Sequence, residues 1–132
     1  MTDSDPRQMR TAMRRVRGLG AAHSGTGYFW HQRVTSVALL FLTVAFVVIL
    51  LSLLGRNHAA VVQILGSPLV AIMMLLFIGA GIYHMWIGMQ EIVIDYVHED
   101  KLKLLTLMAN TFFCVVIGIA CVYALLKLSF GV

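Results

Sequence analysis

"PLVAIMMLLFIGAGIYHMWIGMQ", residues 68–90, contains no Asp, Glu, Lys or Arg, and its only ionisable side chains are Tyr83 and His84. A hydrocarbon layer about 30 Å thick needs roughly 20 apolar residues of helix, each rising about 1.5 Å, so this stretch is long enough to cross it. Two more windows of similar length flank it: "VTSVALLFLTVAFVVILLSLL" at 34–54 and "LLTLMANTFFCVVIGIACVYALL" at 104–126, both uncharged. The whole chain agrees, with 132 residues, 60% of them hydrophobic, and only ten Lys or Arg against six Asp or Glu. A soluble domain of this size does not carry such a composition. A transmembrane barrel would show alternating segments of about ten residues, whereas these runs are continuous. The sequence predicts an all-α integral membrane protein: one membrane-anchor domain over 1–132, with three transmembrane helices at about 34–54, 68–95 and 104–126. Residues 1–33 form a cytoplasmic or interfacial arm in this reading.

Charge sets the expected orientation. Arg7, Arg10, Arg14, Arg15, Arg17 and Arg33 precede or open the first span, and Lys101 and Lys103 lie between the second and third. Arg56 and Lys127 are the basic residues on the other side. The positive-inside rule then places the N-terminus and the second loop in the cytoplasm and the C-terminus outside. "RQMRTAMRRVRGLG" partly imitates a mitochondrial presequence, but Asp3 and Asp5 fit that poorly, and the first apolar run is a full span rather than a short secretory signal. The expectation is an uncleaved arm lying on anionic lipid or a soluble partner, with no nucleic-acid partner. "GLGAAHSGTGYFW", residues 18–30, reads as a Gly-rich turn into the headgroup zone, where Tyr28 and Trp30 act as anchors. Cys114 and Cys121 are seven residues apart, roughly 10 Å along a helix, so they read as soft packing residues rather than a disulfide.

His84 is the residue that needs a function. An ionisable group inside a membrane is costly and points to a site by default. At 100° per residue, Phe77, Gly81, His84, Gly88, Glu91 and Asp95 fall near one stripe, with glycines one turn above and below the imidazole. A planar macrocycle can lie flat against such a face, with His84 as axial ligand and Gly81 and Gly88 leaving room for its edges, and haem iron is commonly held by histidine. The same pattern also suits an imidazole that hydrogen-bonds across helices, with glycines that let the helices approach. His23, His31, His58 and His98 all lie outside the middle of the spans, so a haem with two histidine ligands would need the second from another chain.

Asp95 and Tyr96 follow His84 by roughly 16 to 18 Å along the helix, near the cytoplasmic boundary. A tyrosine hydroxyl can donate to a carbonyl, and Asp95, Glu91, His98, Glu99 and Asp100 can pass protons from adjacent water. Quinone reduction needs both. A solvated polar helix end with Tyr96 as an interfacial anchor would look the same.

The segment "HMWIGMQEIVIDYV", with Gly four residues after the His and Asp-Tyr at eleven and twelve, resembles the small cytochrome b anchor of succinate dehydrogenase, respiratory complex II. "SGTGYFWHQRVTSVALL" is similar to the entry to the first helix in the α-proteobacterial and mitochondrial-type branch of that family. The resemblance spans roughly residues 18–128. It implies a heterotetramer in the bacterial inner membrane: a flavoprotein subunit, an iron–sulfur subunit and two cytochrome b anchors. It further implies haem b held by His84 and a histidine of the companion anchor, and ubiquinone bound at Tyr96 with Asp95 beside it. Arg33 would sit near the haem propionates or the quinone pocket, with weaker claims for Trp30, His31 and Ser36. The other readings are an anchor of fumarate reductase, which runs the same half-reactions backwards, and a cofactor-free scaffold or transporter subunit.

Overall fold

The computed structural model describes residues 25–130. The basic residues expected to form the cytoplasmic arm, Arg7 to Arg17, and His23 lie outside the described residues. Four helices follow one another: α1 (Gly25–Leu53), α2 (His58–Leu65), α3 (Pro68–Tyr96) and α4 (Asp100–Phe130). Among the described residues there is no strand, and α1, α3 and α4 are each long and apolar enough to cross a membrane. This is the expected all-α, three-span architecture.

The helices extend past their apolar windows. Helix α1 begins at Gly25, so the segment read as a Gly-rich turn is helical from that residue on, and Tyr28, Trp30 and Arg33 lie on its first turns. A helix stays favourable beyond the hydrocarbon because every backbone group remains paired, which hydropathy does not register. Between the first two spans, Gly55 takes a positive φ of 71°, a conformation glycine adopts without steric cost, and turns the chain. Asn57 then caps α2, a short helix not anticipated from the sequence, by accepting from the Ala60 amide at 2.9 Å. Pro68 opens α3 in the first turn, where its missing N–H costs nothing.

Helix α3 is the middle of the bundle. It packs against α1 on one side and α4 on the other, while α2 rests on the ends of α3 and α4. Few side chains are buried by the chain itself: Ala71, Ile87, Val93, Cys114 and Leu125 form its core. Broad apolar faces such as Leu40, Phe41 and Val44 on α1, or Phe112 and Val116 on α4, stay uncovered. Lipid tails are as apolar as these side chains, so contact with lipid or with another membrane subunit satisfies them.

At the junction of α2 and α3 the backbones come very close. A Cβ built on Gly66 would sit 2.9 Å from the Val62 carbonyl oxygen and 3.2 Å from that of Leu128 in α4. Neither oxygen belongs to a side chain that can swing away. Gly66→Ala is therefore expected to destabilise the fold by about 1–3 kcal/mol, read as a lower midpoint of thermal unfolding in detergent; an unchanged midpoint would show that the α2–α4 contact is loose.

Candidate functional site

The stripe that contains His84 faces α1. Phe77 stacks on Phe46 with ring centroids 4.6 Å apart, and a Cβ on Gly81 would meet Leu39 at 3.9 Å. Next in antiparallel register, His84 meets Thr35, and a Cβ on Gly88 would lie 3.6 Å from Gln32 Nε2. Gly81 and Gly88 thus lie at the seam between two helices, where small residues let backbones approach. Leu39 and Gln32 of α1 lie over them, so α1 rather than a macrocycle edge faces these two glycines.

At the centre of this seam the His84 Nδ1 and the Thr35 hydroxyl are 2.8 Å apart. The same hydroxyl donates to the His31 carbonyl at 2.7 Å, with the Gln32 carbonyl at 3.1 Å. Among the described residues this is the only hydrogen bond to the imidazole. His84 is partly exposed, so its ring is held at one nitrogen while its other side is not sealed by its own chain. This is the arrangement a metal-ligating histidine needs: one nitrogen oriented, the other open. Among the described residues no cluster of three or more His, Cys, Asp or Glu side chains could hold a metal ion. An iron on His84 would therefore need its other ligands from a macrocycle and from outside the described residues, and an imidazole held at Nδ1 and partly exposed has the chemistry for that role.

Arg33 lies exposed on α1 with its guanidinium 4.8 Å above the Phe29 ring. In the antiparallel register that pairs Gln32 with Gly88, Arg33 lies level with about residue 87 of α3. That is roughly 5 Å from the level of His84 and roughly 13 Å from that of Tyr96. The structure therefore brings Arg33 toward the depth of the imidazole and away from the end of the helix. His31 sets its ring edge-on to Tyr83, with centroids 5.7 Å apart, and Tyr83 in turn stacks on Trp86. Trp30 is 64% exposed and touches Phe29 edge-on, as an interfacial anchor would. The Ser36 hydroxyl is occupied by the Gln32 carbonyl at 2.7 Å.

Asp95 and Tyr96 stand on the last turn of α3, which Val97 ends by donating to the Val93 carbonyl. Tyr96 is 78% exposed and Asp95 is exposed, as are Glu91, His98, Glu99 and Asp100 around them. The phenol is not used for packing in this chain and faces outward with several carboxylates within a short run of backbone. His84 and the Asp95–Tyr96 pair remain on separate levels. A groove of about 750 Å³ opens instead between α3 and α4 and is lined by Ile82, Trp86, Cys114, Gly118 and Val122 among others. Neither His84 nor Tyr96 borders it.

Sequence reasoning missed the polar clasp that fastens α4. The Trp86 indole donates to Thr111 Oγ1 at 3.1 Å, and the Asn110 amide donates to the Trp86 carbonyl at 3.1 Å. The buried Cys114 thiol lies 3.6 Å from Asn110 Oδ1. An Asn within an uncharged span was the available signal, because such a side chain must find a partner in lipid. Asn110→Leu is expected to weaken the α3–α4 pairing by about 0.5–2 kcal/mol, and a double-mutant cycle of Trp86→Phe with Thr111→Val, the two side chains that bond each other, should show coupling. Strict additivity would mean that the two residues act independently.

A helical membrane protein with three spans, whose His84 and Asp95–Tyr96 stand on separate levels instead of converging in one pocket, is the class of protein these features define. The comparisons place it further. Residues 7–118 match the family described as succinate dehydrogenase/fumarate reductase transmembrane subunit, and the chain belongs to that family. It is 31% identical over 121 residues to the succinate dehydrogenase hydrophobic membrane anchor subunit of Paracoccus denitrificans, covering 92% of this chain and 93% of that one. Proteins with the same description from Rickettsia bellii and Rickettsia conorii are 24% and 27% identical. These alignments cover 87% and 84% of this chain and 92% and 89% of the relatives. No solved structure matches the chain significantly. With three spans and membrane-anchor relatives, it is a multi-pass protein of the bacterial inner membrane.

Proposed function

We propose that this chain is the hydrophobic anchor of a succinate:ubiquinone oxidoreductase, that it holds haem b through His84 together with a second anchor, and that it binds ubiquinone at Tyr96. The observation that carries this reading is the open imidazole of His84, tied at Nδ1 and partly exposed inside a membrane span. Family membership supplies the complex in which such a group has a use, and the relatives named as succinate dehydrogenase anchors favour succinate oxidation over fumarate reduction.

Succinate is oxidised at the flavoprotein, and its electrons cross the iron–sulfur subunit, so no dicarboxylate chemistry falls to this polypeptide. Bound haem would supply a one-electron redox centre. His84 would ligate it, Gly81 and Gly88 bring α1 close enough for Thr35 to reach the imidazole, and Arg33 lies at a depth from which it would reach a propionate. The negative charge of a propionate favours a guanidinium over other donors.

At the end of α3, Tyr96 donates its phenolic hydrogen to one quinone oxygen. As two electrons arrive, that oxygen gains negative charge and the hydrogen bond strengthens, which lowers the barrier to reduction. Two protons must follow. Asp95, at the same helix end, relays them from water through the acidic surface of Glu91, Glu99 and Asp100. The cytoplasmic placement of this end follows from Lys101 and Lys103 in the adjoining segment. The test is colour: the purified complex should show a reduced-minus-oxidised haem b spectrum, and its absence would remove the role of His84.

A further inference from the structure

We infer that Thr35 is a positioning residue for His84, fixing the tautomer in which Nε2 is the free, iron-binding nitrogen; this rests on the proposal that His84 ligates haem. A hydroxyl has one hydrogen and two lone pairs. That of Thr35 gives its hydrogen to the backbone of its own helix, at 2.7 Å from the His31 oxygen and 3.1 Å from that of Gln32. The 2.8 Å contact with His84 is then made in the other direction, with Nδ1–H donating to Oγ1.

The alternative assignment fares worse. If the hydroxyl donated to Nδ1, it would give up the closer backbone carbonyl, and the ring hydrogen would sit on Nε2 with no acceptor among the described residues. An unpaired N–H in an apolar environment costs several kcal/mol by general estimate. The backbone-anchored rotamer also removes the freedom of the Thr35 side chain, since a β-branched residue in a helix has few χ1 choices. A rigid acceptor on one helix therefore sets both the protonation and the rotation of an imidazole on the next. The acceptor also makes the imidazole a stronger donor to iron, as second partners of metal-bound histidines do, and so favours the ferric state.

The experiment uses the assembled heterotetramer. Thr35→Val keeps the shape and removes the hydroxyl; it is expected to raise the haem b midpoint potential and move the g values of the low-spin ferric signal. A tenfold loss of preference for ferric over ferrous haem corresponds to about 59 mV for one electron. Thr35→Ser should restore both readouts. Thr106→Val removes a hydroxyl bonded to its own backbone in the same way, to Leu102 at 2.7 Å but with no histidine contact, and should change neither. If Thr35→Val does not assemble, Thr35→Ala carries the same expectation. Wild-type potential and g values in the hydroxyl-free variants would overturn the role of Thr35, while leaving His84 as ligand if His84→Ala still alters the haem spectrum. A haem spectrum unmoved by His84→Ala would overturn both.

Discussion

Tyr96→Phe is expected to lower succinate-driven ubiquinone reduction by about 100-fold or more while leaving succinate oxidation with an artificial dye intact. The substitution removes one hydroxyl and nothing else. Tyr96 is 78% exposed and makes no packing contribution comparable to that of a core residue, so the fold has little reason to respond. Removing a single preorganised donor to an oxygen that becomes charged during a reaction commonly costs about 10²–10³ in rate. The two assays divide the electron path: the dye takes electrons before the membrane site and reports assembly of the catalytic subunits, while the quinone rate reports the membrane site. A normal quinone rate in the variant would assign Tyr96 to anchoring in the interface.

His84→Ala is expected to abolish the bis-histidine, low-spin haem b spectrum. In the proposed site one ligand, from the companion anchor, would remain, so haem content can persist while the spectrum becomes that of five-coordinate or water-ligated iron. The spectrum is therefore the measurement, with content as a secondary one. The change also removes the Thr35–His84 hydrogen bond across the α1–α3 seam, which costs about 1 kcal/mol in a membrane interior. That loss is small beside the loss of an iron ligand. A wild-type spectrum in His84→Ala would return this imidazole to the role of a helix–helix hydrogen bond.

The spans were legible because hydropathy is a local property: a segment either can or cannot leave water, whatever surrounds it. His84 and Asp95–Tyr96 stood out as candidates for a related reason, since a polar group is conspicuous wherever its neighbours are apolar. Thr35 was not legible. A threonine in a span satisfies its hydroxyl on its own helix, so its presence raises no question until another helix is set beside it. Gly81 and Gly88 were legible as small residues flanking His84, but their direction was not. The stripe has a period and no label saying whether α1, α4, lipid or a cofactor faces it.

By itself, then, the sequence determined an all-α membrane protein with three spans, the depth of His84 within the second of them, and a hydroxyl and carboxylate at the end of the same helix. Only the tertiary structure decided that α3 lies between α1 and α4, that His84 turns toward Thr35, and that Trp86, two residues on, turns toward Asn110 and Thr111. The physical reason is that solvation is summed along the chain, whereas hydrogen-bond direction depends on which helix stands opposite. Helix pairing is chosen by packing between residues far apart in sequence, and here that choice leaves one nitrogen of His84 held and the other open.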